Sequence, residues 1–253
     1  MQRVRMFEKW FDNLSIDETV DLIEESIKNG LKINIHTVNV DHLIIANKNK
    51  DFEEYMLNAE IVLADGMPIV WYSKLIKNPL KERVTGVDLS ERLISESIKR
   101  NFKIFLLGGG AGVAEKCVEK MTEKYGNVNI VGTYCPSPEE ISSPNKSDLI
   151  VNKINSSGAN ILLVALGAPK QELWIKRYKN KLNSNVNIGV GATFDFLSGN
   201  VKRANIILQR MGLEWFYRML TDRDPKRLIK RYLINDSYFL VLCLKDIIKR
   251  IYK

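Results

Sequence analysis

Among the carboxylates of the sequence, Asp65 has the position best suited to acid–base catalysis. It directly follows the apolar run Ile61–Ala64 and precedes Gly66-Met-Pro68. A carboxylate at the end of a buried strand is well placed to take a proton from an attacking hydroxyl group, as a general base. An aspartate after a strand is also a common helix N-cap. The position alone therefore leaves both roles open.

The second feature that could serve a reaction is the glycine run Gly108-Gly-Gly-Ala-Gly112. It lies between an apolar run and a helical pattern that continues to Lys124. Backbone N–H groups at such a helix start bind phosphate groups. The sixth position of the run is Val113, and the following strand ends Gly132-Thr-Tyr134 without an acidic residue for a ribose. A dinucleotide cofactor is therefore disfavoured. A nucleotide or phosphate ligand is expected, with a ligand-free tight turn as the alternative.

The elements that must position these residues alternate along the first ~200 residues. Strand-like runs separated by helices of roughly 10–15 residues predict a parallel α/β sheet with right-handed crossovers. The predicted strands are Leu31–His36, Ile61–Ala64, Phe102–Leu107, Val128–Val131, Ile161–Leu166 and Val186–Val190. Ligands of such sheets bind beyond the carboxyl ends of the strands. The polar or glycine residues at those ends are Thr37, Asn39, Asp65, Gly108–Gly112, Gln171 and Asp195.

Composition excludes several classes of protein. The 253 residues are 45% hydrophobic and 27% charged, which is typical of a soluble globular chain and not of a disordered or fibrous one. Three separated cysteines favour a reduced compartment, and the two histidines, His36 and His42, are expected to be structural. The N-terminus lacks the apolar segment of a signal peptide. The longest apolar run, Tyr238–Leu244, is far too short to span a bilayer.

The net charge of +8 lies entirely near the C-terminus. Residues 200–253 hold 13 of the 38 Lys and Arg residues but only 5 of the 30 Asp and Glu residues. A helix predicted from Lys226 toward Tyr252 gathers basic residues on one arc and apolar residues mostly opposite. Such a basic amphipathic helix suits an anionic membrane surface. The alternatives are a solvated basic helix without a partner, packing of its apolar face on the core, and a nucleic-acid partner. Asp222-Arg-Asp224 resembles a metal-binding DxD but is interpreted as a loop and cap.

Seven short segments follow one another at matching spacing, and together they resemble the WecG/TagA/CpsF glycosyltransferases. The similarity extends from about residue 15 to 235. The segments are Thr37-Val-Asn39, Ala64-Asp-Gly-Met-Pro-Ile-Val70, Arg83-Val-Thr-Gly86, Leu107-Gly-Gly109, Gly167-Ala-Pro-Lys-Gln-Glu172, Gly191-Ala-Thr-Phe-Asp195 and Gly212-Leu-Glu-Trp215.

The resemblance implies an inverting, metal-independent transfer of a sugar from a UDP-N-acetylhexosamine to a lipid-linked acceptor, with no cofactor. In the teichoic-acid branch of the family the donor is UDP-N-acetylmannosamine (UDP-ManNAc) and the acceptor is undecaprenyl-diphosphate-GlcNAc. The implied fold is a Rossmann-like parallel-sheet core with helices on both faces and a helical, membrane-binding C-terminal appendage. We expect a core over residues 1–199 and an appendage over 200–253.

The family's site residues are carried over position by position. Asp65 matches the general base, and the sugar and acceptor pocket matches Thr37, Asn39, Arg83 and Gln171. Near the nucleotide the resemblance implies Gly108, Gly109, Gly110 and Asp195. Arg218 matches an arginine that reaches the diphosphate. The cationic pattern that usually follows is replaced by Thr221-Asp-Arg-Asp-Pro-Lys-Arg227, so that the remaining equivalents are Arg227, Lys230 and Arg231.

The expected location is the cytoplasmic face of the cell membrane, where the chain would lie as a peripheral protein with its basic tail on anionic lipid. Another UDP-sugar donor, such as the corresponding uronic acid, is the alternative within the family. A nucleotide-dependent oxidoreductase is the rival suggested by the glycine run. An RNA-binding protein is the rival suggested by the tail, but RNP-like aromatic motifs are lacking, and no nucleic-acid partner is expected. The sequence leaves a homo-oligomer open.

Overall fold

The protein contains a six-stranded parallel sheet flanked by helices, in a computed structural model that describes residues 2–205, 208, 217 and 238–252. The strands are β1 (Arg3–Met6), β2 (Lys9–Asp12), β3 (Ile33–Val38), β4 (Ile61–Ala64), β5 (Ile104–Gly108), β6 (Ile130–Tyr134), β7 (Ile161–Ala165) and β8 (Val186–Gly189). Their order in the sheet is β4-β3-β8-β7-β5-β6, and β1 and β2 form a separate antiparallel pair. This confirms the predicted fold class.

Helices connect the strands, as the alternating pattern predicts. They are α1 (Ile16–Lys28), α2 (Val40–Lys48), α3 (Lys50–Asn58), α4 (Met67–Leu75), α5 (Gly86–Ser95), α6 (Val113–Tyr125), α7 (Pro138–Ser142), α8 (Pro144–Ser156), α9 (Lys170–Tyr178), α10 (Thr193–Leu197) and α11 (Tyr238–Ile251). Capping residues in the sequence fix the N-termini of several of these helices. Ser137 caps α7 in a capping box with Glu140, as the Ser-Pro-Glu-Glu sequence predicts.

The chain forms two compact units, and the larger consists of residues 16–36 and 86–200. Its core is the run of strands β8, β7 and β5, which pair in parallel register. Every residue of β5 and β7 is buried. Strands covered on both faces are continuously apolar rather than alternating, which explains the Ile-Phe-Leu-Leu and Ile-Leu-Leu-Val sequences.

The other unit consists of residues 1–15, 37–85 and 201–253. Asp12 fastens its β1–β2 hairpin, since its carboxylate accepts hydrogen bonds from the Val62 N–H (2.8 Å) and from Arg3 Nε (2.7 Å). The hairpin turn uses Phe7 and Glu8, both with positive φ. Two-residue hairpins require this conformation and usually obtain it from Asn-Gly. The sequence lacks that signal, so the hairpin was not predicted.

Helix α11 belongs to this same unit, and Asp246 anchors it. The Asp246 carboxylate accepts hydrogen bonds from the Phe7 N–H (2.9 Å), the Tyr72 hydroxyl (2.7 Å) and Arg250 Nε (2.7 Å). The Phe7 ring stacks on Tyr72 with ring centres 4.7 Å apart. Burial and this bond to Asp246 hold the pKa of Tyr72 well above its usual range. The last part of the predicted C-terminal helix is therefore present as α11, and it packs against Phe7 and Tyr72. Residues 226–237 of that prediction lie outside the described residues.

Helix α11 differs in one respect from the single apolar face that the sequence predicts, because it is apolar on two opposite sides. Phe239 and Leu242 are buried together with Asp246. The apolar residues on the other side are exposed, and they are Leu240, Val241, Leu244, Ile248 and Ile251. Among the described residues, no helix is long and apolar enough to cross a bilayer.

Candidate functional site

Asp65 lies between two other segments that carry predicted site residues. Its backbone N–H donates to the Val38 carbonyl (2.7 Å), and the preceding Ala64 carbonyl accepts from the Val84 N–H (3.0 Å). The end of β3, the end of β4 and the residues around Arg83 are therefore held side by side. Gly66, the residue after Asp65, also lies next to the end of β3, since a Cβ added there would be in ordinary contact with the Asn39 Cα at 3.9 Å. We call Thr37, Asn39, Asp65 and Arg83 the base cluster.

The side chains of the base cluster differ in exposure. Thr37 is buried, whereas Asn39, Asp65 and Arg83 are partly exposed. Asp65 precedes the start of α4, where Gly66 provides no side-chain cap and Pro68 occupies the first turn. Helix N-termini favour negative charge nearby. A partly exposed carboxylate at this position suits a general base, because a hydroxyl group can reach it from solvent.

Asn39 also has a structural role, which it shares with His42. The Asn39 side chain accepts a hydrogen bond from the His42 N–H (3.2 Å), and His42 Nδ1 lies 3.3 Å from the Asn39 backbone nitrogen. This reciprocal cap fixes the start of α2 and with it the turn that follows Thr37. His42 is thus a buried structural histidine, as predicted.

The glycine run forms a tight turn after β5, and its shape requires glycine. Gly108 has φ of +101°, and a Cβ added there would lie 2.5 Å from the Ala165 carbonyl oxygen. Gly109 donates its N–H to that same carbonyl at 2.9 Å. The turn leads into α6 through Gly112, which has φ of +74°. The first N–H groups of a helix have no partner within the helix, so the turn is suited to bind an anionic group.

Gln171 holds the loops after two neighbouring strands. Its Oε1 accepts hydrogen bonds from the Gly167 N–H (3.1 Å) and the Gly191 N–H (3.0 Å). Gly167 follows β7 and Gly191 follows β8, and these strands are adjacent in the sheet. Gln171 is buried, so its side-chain oxygen acts on the backbone of these loops. Its predicted contact with the sugar or acceptor stays a prediction.

Glu172 is the residue of this region that sequence reasoning missed. It is fully buried and accepts a hydrogen bond from Gln171 Nε2 at 2.7 Å. Its Oε1 also lies 3.9 Å from Nε2 of the buried His36. Burial raises the pKa of Glu172 to about 7, although the bond from Gln171 acts in the opposite direction. Two sequence signals could have pointed to it: Glu172 ends one of the seven family segments, and it stands one helical turn before the buried Ile175.

Asp195 lies in α10, which packs beside the glycine turn. A Cβ added at Gly109 would contact the buried Phe194 at 3.4 Å, and Asp195 is the next residue. The structure therefore gathers Gly108–Gly110, Gln171 and Asp195 at the carboxyl ends of β5, β7 and β8. We call this group the glycine-loop cluster. The predicted diphosphate contacts lie outside the described residues, and they are Arg218, Arg227, Lys230 and Arg231.

These features define an α/β protein with glycine-rich loops and a partly exposed carboxylate at the carboxyl ends of parallel strands, where ligands of such sheets bind. Comparison with known families is consistent with this class. Residues 4–252 match the model of the glycosyl transferase WecG/TagA/CpsF family. The chain belongs to this family, and it is a glycosyltransferase.

Two curated relatives carry the same enzyme name, N-acetylglucosaminyldiphosphoundecaprenol N-acetyl-beta-D-mannosaminyltransferase. The protein from Bacillus subtilis (strain 168) is 31% identical over 211 residues, which cover 83% of this chain and 80% of the relative. The protein from Bacillus spizizenii (strain ATCC 23059 / NRRL B-14472 / W23) is 32% identical over 191 residues, covering 74% and 71%.

Proposed function

We propose that the protein transfers N-acetylmannosamine from UDP-ManNAc to undecaprenyl-diphosphate-GlcNAc. The observation that carries the proposal is the position of Asp65, which is partly exposed and held between the end of β3 and the residues around Arg83. The names of the two Bacillus relatives supply the donor sugar and the acceptor. The family match supplies the reaction class.

In the proposed reaction, the Asp65 carboxylate takes the proton of the acceptor hydroxyl while the hydroxyl oxygen attacks the anomeric carbon of the donor. The new glycosidic bond forms as the bond between that carbon and the diphosphate breaks. UDP leaves with the electron pair, and the configuration at the anomeric carbon inverts. Thr37, Asn39 and Arg83 are assigned to the sugar and acceptor around Asp65. Arg83 carries a guanidinium, which suits contact with an anionic part of either substrate.

Gly108–Gly110 and Asp195 of the glycine-loop cluster are assigned to the UDP moiety, while Gln171 keeps its assignment to the sugar and acceptor. Gly108, Gly109 and Gly110 present backbone without side chains, so a diphosphate can approach the start of α6 closely. Gln171 fixes the neighbouring loops, and Asp195 is assigned to the nucleotide. Arg218, Arg227, Lys230 and Arg231 are proposed to stabilise the charge on the departing diphosphate.

We further propose that the chain acts as a peripheral protein on an anionic membrane, at the cytoplasmic face, with residues 200–253 as its appendage and residues 1–199 as its core. The exposed apolar side of α11 supports this assignment. Lys245 and Lys249 lie beside that side, and lysines that flank an exposed apolar stripe are typical of helices in a bilayer interface.

The proposal is tested by measuring UDP release and the disaccharide product, by mass spectrometry, with and without lipid-linked GlcNAc. Release from UDP-ManNAc that depends on the acceptor is the expected result. A panel containing UDP-GlcNAc and the uronic acid of UDP-ManNAc tests the donor. If another donor is used at least tenfold better, the assigned donor is wrong while the transferase stands. Lack of transfer from every UDP-sugar would contradict the proposed function itself.

A further inference from the structure

Helix α4, which begins two residues after Asp65, exposes two large apolar side chains. Trp71 is 47% exposed and Leu75 is 67% exposed. They are four residues apart and therefore share one side of the helix. Lys74 of the same helix and Lys77, two residues after its end, are also exposed. We call these four residues the outer face of α4.

The outer face of α4 is exposed because the helix packs through its other side. Ile69, Val70, Tyr72 and Ser73 are buried, and the Tyr72 hydroxyl bonds to Asp246 of α11. A tryptophan and a leucine left this accessible, with exposed lysines close to them in the sequence, form a mixed apolar and basic surface. In the bilayer interface the indole ring occupies the headgroup level, while lysine chains extend their ammonium groups to the phosphates.

The distance from Asp65 relates this face to the acceptor lipid. At about 1.5 Å of rise per residue, Trp71 lies roughly 6 Å and Leu75 roughly 12 Å along the helix from its first residue, Met67. In the acceptor, one sugar ring and a diphosphate separate the reacting hydroxyl from the polyprenyl chain, a length of the same order. An acceptor that ran along α4 with its hydroxyl at Asp65 would have its lipid chain near the far end of this helix.

We propose that the outer face of α4 lies in the interface of an anionic bilayer, beside the point where the lipid acceptor enters. This inference rests on the proposed function and adds a second membrane contact to that of α11. Charge complementarity favours anionic lipid over a protein partner, since both charged residues of the face are lysines. The two helices are also in contact, because the buried Tyr72, next to Trp71, donates a hydrogen bond to Asp246 of α11.

The first test uses the full chain and vesicles without acceptor or donor, so that its result does not depend on transfer. The vesicles contain phosphatidylcholine and phosphatidylglycerol, part of it brominated to quench tryptophan fluorescence. We expect quenching in the wild type and loss of a large part of it in Trp71→Phe. Equal quenching in both proteins would overturn the proposal. So would a concentration-dependent dimer in sedimentation analysis that Trp71→Phe abolishes.

The second test compares Leu75→Ser with Leu149→Ser, because Leu149 is an equally exposed leucine (68%) on α8 in the other unit. Leu75→Ser is expected to weaken vesicle binding about fivefold, whereas Leu149→Ser leaves it unchanged. Leu75→Ser should also raise the KM for the acceptor in vesicles but not for a short-chain, water-soluble acceptor. Equal effects of the two substitutions would contradict the proposal. Failure of the wild type to use the soluble acceptor would instead count against the proposed function.

Discussion

The base cluster and the glycine-loop cluster use their residues in opposite ways. In the glycine-loop cluster the backbone of Gly108–Gly110 is proposed to bind the donor, and the Gln171 side chain is buried with its oxygen on the backbone of the loops after β7 and β8. In the base cluster, backbone hydrogen bonds bring three segments together, and the side chain of Asp65 is partly exposed. Substitutions in the two clusters should therefore separate binding of the donor from the transfer step.

The largest effect is expected at Asp65. Asp65→Asn removes the proton acceptor but keeps the size of the side chain, so kcat should fall about 10²–10⁴-fold. The KM for the donor should stay within about twofold, because the glycine-loop cluster is untouched. Steady-state kinetics measure both. Asp51→Asn is the matched control, as an exposed aspartate in the first turn of α3 in the same unit, and it should retain wild-type kcat.

Glu172 predicts a specific pH dependence of stability. Its pKa is raised from 4.5 to about 7 in the folded protein, so the folded state binds more protons than the unfolded state in this interval. The free energy of unfolding should therefore decrease as the pH rises from about 5 to 8, by up to about 3 kcal/mol. Glu172→Gln keeps an acceptor for Gln171 and should lose this dependence. Urea unfolding of both proteins at pH 5 and 8 measures it, and parallel curves would contradict the prediction.

Asp246 should stabilise the unit that contains the base cluster. Asp246→Ala leaves the Phe7 N–H and the Tyr72 hydroxyl without their acceptor, which should cost about 2 kcal/mol of unfolding free energy. Asp148→Ala is the control, since Asp148 pairs with Lys181 in a solvent-exposed ion pair and should cost below about 0.5 kcal/mol. Equal losses would show that Asp246 is no anchor.

The smallest effect is expected at Gly110. Its φ is not positive, and a Cβ there would lie 3.2 Å from Val113 Cγ2, so Gly110→Ala should fold with a small shift of that valine. The added methyl group covers backbone assigned to the diphosphate. We expect the KM for UDP-ManNAc to rise about tenfold, equivalent to one lost hydrogen bond to a charged group. An unchanged KM would place the diphosphate elsewhere.

The sequence predicted the elements that depend on local pattern, and it missed features that depend on tertiary contacts. The apolar runs and the capping signal at Ser137 gave the parallel sheet and the start of α7. The β1–β2 hairpin was missed because Phe7 adopts positive φ without a glycine, supported instead by contacts with Tyr72 and Asp246. Burial of Glu172 was missed for a similar reason. A charged residue in the first turn of a helix is normally exposed, and only the packed structure shows otherwise.

We assign the transfer step to the base cluster and donor binding to the glycine-loop cluster. The most direct test of this assignment is single-turnover transfer at saturating UDP-ManNAc, measured for Asp65→Asn and Gly110→Ala side by side. Saturation removes a defect in donor binding but not a defect in the transfer step. Gly110→Ala should then recover to within about twofold of the wild type, while Asp65→Asn should remain slower by about 10²-fold or more. Recovery of Asp65→Asn at high donor concentration would contradict the assignment of Asp65 as the base.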